Sequence, residues 1–202
     1  KADDPDGDSL SWRLEGAPWQ TQVARFAGHS SPYLRRAAAY SLSRIGDPAA
    51  RAAQRKLAAD DEAVIRATVM RGFARGELTD QDLQTVVAAL DDPDWRVQAA
   101  ACSVVASSSP VSLPAAATRV VASFFASPHP QLAWAALTAA AAHPAIGSAA
   151  ELMAVVEGDK PWLASEALAA LAARDAKAAE ATAGGVEDQQ HALPEPIKKI
   201  VG

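Results

Sequence analysis

Few side chains in this 202-residue sequence have the type and spacing for covalent chemistry. The four histidines, His29, His129, His143 and His191, are scattered, mostly in turn-like stretches, and no two stand four apart as a helical metal site needs. Cys102 is the single cysteine. It rules out an internal disulfide framework, and its small-residue surroundings suit a half-buried structural thiol better than a nucleophile. No Gly-x-Ser-x-Gly elbow, Walker loop or Gly-x-Gly-x-x-Gly occurs. Asp60-Asp61 and Asp91-Asp92 could act as acid and base, but each pair opens a helical pattern, where the helix dipole favours a carboxylate for structural reasons alone. No catalytic residue, metal ligand or cofactor is therefore expected.

Charge placement says more. Residues 25–75 carry ten Arg or Lys against four Asp or Glu, and residues 77–95 carry six acids and no base. Residues 97–150 then hold one formal charge, Arg119. Solvated helix faces normally carry many charges, so this stretch reads either as an alanine- and serine-rich surface with small patches or as a face covered by a partner or another domain. The net charge of −5 argues against a nucleic-acid binder held by overall charge. No apolar run of about 18 residues is present, so no membrane span is expected. The chain opens at Lys1 with neither Met nor a signal peptide and reads as a piece or processed product of something longer.

The elements that must carry these residues are helices. The segment Pro32 to Pro48 is one helix with its signals attached: Pro32 suits a first position, and Leu34, Ala37, Ala38, Ser41, Leu42 and Ile45 form a stripe at helical spacing. Gly46 can take the left-handed cap before Asp47-Pro48 restarts the chain. The pattern recurs from Ile65, Val97, Leu132 and Leu163, at intervals of 31, 32, 35 and 31 residues. Partner helices fit Pro48–Ala59, Thr79–Leu90, Pro114–Ala126 and Ser148–Glu157, with Thr79 and Asp82 resembling a capping pair. Such two-helix units cannot close a core alone and must stack. The 50 alanines predict close packing through small side chains. Three regions follow: an acidic, solvated tail over residues 1–18, in which Trp12 and Trp19 could pack on the first helix; an array over 19–183; and a cap or linker over 184–202. In the last stretch Asp175–Thr182 reads as a short separate helix broken by Gly184-Gly185.

The phrase Leu34-Arg35-Arg36-Ala37-Ala38-Ala39 ending in Arg44-Ile45-Gly46-Asp47-Pro48 is similar to the second helix and exit of a HEAT repeat. Asp91-Asp92-Pro93-Asp94-Trp95-Arg96-Val97 looks like the turn into another. The resemblance spans roughly residues 19–175 and implies an all-α, right-handed α-α superhelix of about five helix pairs. It also implies an Asp in each turn and an Arg after the first apolar residue. Arg35 and Arg66 fit; Gln98, Ala133 and Ala164 do not, so a stacking Asp–Arg ladder should stop after the second unit. More narrowly, these phrases resemble the HEAT segments of bacterial cyclophilin-type peptidyl-prolyl isomerase fusion proteins. None of that enzyme's own motif is present, so this resemblance implies a non-catalytic arm.

If offsets 0, 3, 4, 7 and 8 of each second helix face the core, offsets 2, 6 and 9 face outward. On the concave surface that a HEAT-like stack implies, these positions give Arg36 and Tyr40, Arg71, Ser103, Trp134 with Thr138, and Ser165. The first six of these are the expected contacts to a protein or peptide partner, or to a covalently linked domain. The leading expectation is a non-catalytic interaction scaffold. The alternatives are an accessory arm of a peptidyl-prolyl isomerase and a HEAT-like DNA glycosylase, whose groove would need basic residues throughout.

Overall fold

A computed structural model describes residues 19–44, 50–75, 77–108 and 113–184. The expectations for the acidic tail, for the Gly46 cap with Asp47-Pro48, and for residues 185–202 lie outside the described residues. Within them the chain is the expected all-α helical-repeat array, with no strand. Five helix pairs follow in order: α1 (Trp19–Ala24) and a 3-10 turn (Arg25–Gly28) with α2 (Pro32–Ser43); α3 (Arg51–Leu57) with α4 (Ala63–Phe73); α5 (Asp80–Leu90) with α6 (Trp95–Ser107). Then come α7 (Ala115–Ser123), ending in a 3-10 turn (Phe124–Ala126), with α8 (Pro130–Ala142), and α9 (Ala149–Val156) with α10 (Pro161–Gly184). The second helices α2, α4, α6, α8 and α10 pack side by side in one row.

Local signals start the helices. Pro32 and Pro130 occupy first turns, and Asp94 accepts the Arg96 amide at 2.9 Å. Thr79 and Asp82 form a full capping box, as the sequence suggests, and Ser148 with Glu151 forms another. One expected break is absent. Asp175–Thr182 is not a separate helix but part of α10, because nothing between Leu171 and Gly184 interrupts an alanine-rich run of high helix propensity.

The core register holds. Offsets 0, 3, 4, 7 and 8 are all buried in α6 and α8. In α2, Ala37 at offset 3 is exposed, since no earlier unit lies against it among the described residues. Offset 5 forms the face turned to the next unit: Ala39, Met70, Cys102 and Leu137 are fully buried there, whereas Leu168 of α10 is 52% exposed. Cys102 is thus more deeply set than its small-residue context suggests, and burial pushes its thiol up to about 12.

The interrupted ladder is present. Arg35 forks onto Asp60 of the next turn at 2.6 and 3.2 Å, and Arg66 onto Asp92 at 2.7 and 2.8 Å. Each arginine also donates back to carbonyls of its own turn, His29 and Ser30 or Asp60 and Asp61. Each aspartate accepts the amide two residues on, from Glu62 or Asp94. At the third unit Gln98 keeps only the backward half, donating to the Asp92 carbonyl at 2.8 Å. Ser127 replaces the aspartate and accepts the His129 amide.

The first-helix row has its own polar lock. Asp82 is fully buried, meets Arg55 at 2.6 Å and Arg51 at 3.8 Å, and accepts the Thr79 amide. Arg51 donates to the Arg75 carbonyl at 2.9 Å and lies over the Phe73 ring. Buried Gln54 donates to the Leu42 carbonyl at 2.8 Å. Units one to three are therefore tied by charge as well as by apolar packing.

This arrangement sets a pH dependence. Burial acting alone would raise Asp60, Asp82 and Asp92, but hydrogen bonds from Arg35, from the Thr79 amide with Arg55, and from Arg66 outweigh it and hold all three below the ordinary 3.8. The folded carboxylates bind protons more weakly than the unfolded ones, so their contribution is whole above about pH 4 and is lost as pH falls through the lowered folded values. Urea midpoints should accordingly fall on acidification below about pH 4. A midpoint that rises in that window would contradict the ion-pair assignment.

Candidate interaction surface

The helix-pair stacking carries the outward offsets of successive second helices onto one side. Of the six sequence-predicted positions, Arg36, Tyr40, Arg71, Ser103 and Trp134 are exposed and Thr138 is half-buried, while the same offsets also hold Ala67 and Ser43, which are buried. The six differ in what they can still do. Arg36 is engaged, its guanidinium meeting Glu62 of the next unit, with Nε at 2.7 Å from the carboxylate. Tyr40 is 58% exposed, and its hydroxyl accepts from Arg44 at 3.1 Å while the guanidinium lies over its ring. Arg71 has no side-chain partner among the described residues. The Ser103 and Thr138 hydroxyls donate to carbonyls one turn back, Ala99 and Trp134, as isolated helical hydroxyls do.

Trp134 stands between buried neighbours on α8. Leu132, Ala133, Ala135, Ala136 and Leu137 are buried, whereas the tryptophan is 46% exposed. The offset rule missed three further exposed apolar side chains, Tyr33, Val64 and Trp162, all one residue before the first core position of their helices. Their signal was the shared offset, which lies on the same side as offsets 2 and 6.

The turns give a second kind of surface. Trp95 stacks on His129 of the next unit, ring centroids 4.9 Å apart and planes 11° apart. A cleft of about 440 Å³ lies beside this stack, lined by Gln98, Phe124 and Ser127 among others. Another, of about 460 Å³, lies between α7 and α9 over Phe125, Val155 and Leu163, with Glu151 and Lys160 on its lining. In the first cleft the Ser127 hydroxyl accepts the His129 backbone amide, and the His129 ring is stacked on Trp95. Glu151 serves its capping box, and Lys160 donates to the Ser127 carbonyl at 3.3 Å. Buried His143 joins its Nε2 to the Val105 carbonyl at 2.7 Å; because a carbonyl only accepts, this nitrogen carries the proton, a contact between units. Among the described residues no three His, Cys, Asp or Glu side chains gather as a metal site needs, and no helix is long and apolar enough to cross a membrane.

No family model matches the chain, and no curated protein does. Similarity appears among solved structures. The crystal structure of an engineered protein aligns over 85% of this chain and 87% of its own, with a TM-score of 0.58 and 20% identity. A structure of Crescerin, described as using a TOG domain array to regulate microtubules in the primary cilium, aligns over 78% of this chain and 73% of its own. Its TM-score of 0.37 and 15% identity are too low to carry an argument. The first likeness bears on the fold alone, and it accords with the all-helical array described above.

Proposed function

We propose that this chain is a non-catalytic interaction scaffold, holding a protein or peptide partner, or a covalently linked domain, along the exposed face of its second-helix row. The observation that supports this most is Trp134, a half-exposed residue between buried neighbours on the outward side of α8, in a stretch of 54 residues with one charge. Interface centres are depleted in charge and anchored by Trp, Tyr and Arg, which is the composition of this side of the array.

The test is Trp134→Ala, measured with a peptide selected from a random library against the whole chain. The expected result is a loss of about tenfold or more in affinity with a thermal midpoint within about 2 °C of the parent. A large fall in the midpoint would instead make Trp134 a structural wedge. The likeness of the turn phrases to cyclophilin-associated HEAT segments makes an isomerase arm the accompanying proposal. Turnover of a proline peptide by this chain would overturn its non-catalytic character.

A further inference from the structure

The arginines of this chain are not treated alike. Arg35, Arg36, Arg51, Arg55, Arg66 and Arg96 each meet a carboxylate. Arg71 on α4 and Arg75, two residues past the end of that helix, are exposed and have no side-chain partner among the described residues. With Arg44, which is held only by the Tyr40 hydroxyl and ring, they leave cationic charge that no carboxylate meets among the described residues. Register sets Arg71 beside α2, where Tyr40 shares its offset 6, and Arg44 and Arg75 stand just past the ends of the two helices. The same side of these two helices exposes Tyr33 and Val64 near their starts. Of the acids bordering this patch, Glu62 is engaged by Arg36, and Glu77 lies exposed beyond Arg75.

We propose that this patch on α2 and α4 seats an acidic, extended peptide segment of a partner protein. Its carboxylates meet the guanidiniums of Arg71, Arg75 and Arg44, and its apolar side chains lie on Tyr33, Tyr40 and Val64. The proposal rests on the scaffold reading and names the partner chemistry for its first two units. A planar guanidinium fork matches a carboxylate in two parallel hydrogen bonds, and an exposed tyrosine offers apolar area at low entropic cost. Charge placement favours a peptide over a nucleic acid. The basic surface is confined to two units, six acids follow over residues 77–95, and Arg96 on α6 is held by Asp94 at 2.6 Å. A phosphate backbone would need cations continuing along the row.

The experiment uses the whole chain and fluorescence anisotropy. The probes are a fluorescein-labelled peptide of Glu and Asp interspersed with Leu and Phe, its Gln/Asn isostere of equal length, and single-stranded oligothymidylate. The acidic peptide should bind about tenfold or more tighter than its amide isostere and weaken as salt is added. The double variant Arg71→Gln, Arg75→Gln should lose about tenfold or more of that affinity while its thermal midpoint stays unchanged. Equal binding of the amide isostere, tighter binding of oligothymidylate, or an indifferent double variant would each overturn the proposal. Trp134→Ala separates the two readings. Acidic-peptide binding that survives it supports this patch by itself, and an acidic peptide that needs Trp134 but not the two arginines overturns the patch and leaves the wider surface.

Discussion

Replacing Asp82 by alanine is expected to lower the unfolding free energy by about 3–5 kcal/mol, the usual loss when one partner of a buried ion pair is removed. The size follows from what is left behind. Arg55 loses its 2.6 Å partner, Arg51 keeps only its carbonyls and the Phe73 ring, and the Thr79 amide loses its acceptor. Arg51 is itself buried, so its charge has no water to turn to. Asp82→Asn separates the contributions, since the amide oxygen can still serve Thr79 but brings no charge. It should recover about 1 kcal/mol, the range of a helix cap. Urea unfolding followed by helical circular dichroism measures both. A loss for the alanine variant below about 1 kcal/mol would mean that water reaches this pair and that it does not lock the first-helix row.

Replacing Gly72 by alanine should also destabilise, against the ordinary rule. Glycine inside a helix costs about 1 kcal/mol relative to alanine, so the exchange would normally help. Here a Cβ would stand 2.8 Å from the Ser43 Cα and 2.9 Å from the Gln54 Nε2. The first contact is backbone of the neighbouring helix α2, and the second is the amide that holds the Leu42 carbonyl. Neither can yield without moving α2 from α4 or breaking that bond. Overpacking of this kind costs about 1–3 kcal/mol, enough to reverse the propensity gain. Thermal melting decides it by sign alone, and a raised midpoint would show that these units slide apart freely.

Much of this was readable beforehand, because a repeat writes each feature several times. The ladder could be expected, and expected to stop, from residue types at one offset: Arg35 and Arg66 against Gln98 and Ala133. The exposed face followed from helical spacing only in part, since Ala67 at offset 2 and Ser43 at offset 9 are buried and Tyr33, Val64 and Trp162 were missed. The polar lock did not. Arg51, Gln54 and Asp82 are charged or polar residues whose local sequence suggests solvent, and only the approach of a neighbouring helix turns them inward. The same limit applied to Arg36, which looks free in sequence and is tied to Glu62, distant along the chain and near in space. The run-on of α10 was missed for the opposite reason. Asp175 and the following small residues were read as a boundary although they contain no breaker before Gly184.

The exposed leucine of α10 has a consequence for how such a molecule changes size. Leu168 presents the edge that Met70, Cys102 and Leu137 present to their successors, so that edge is as fit to receive a further helix pair as theirs. Nothing in the geometry of a single pair counts how many there are. Duplication of a segment thirty-odd residues long would therefore lengthen the molecule by one more apolar junction of the same kind. Reach, in a protein built this way, is a quantity that gene copying alone can adjust.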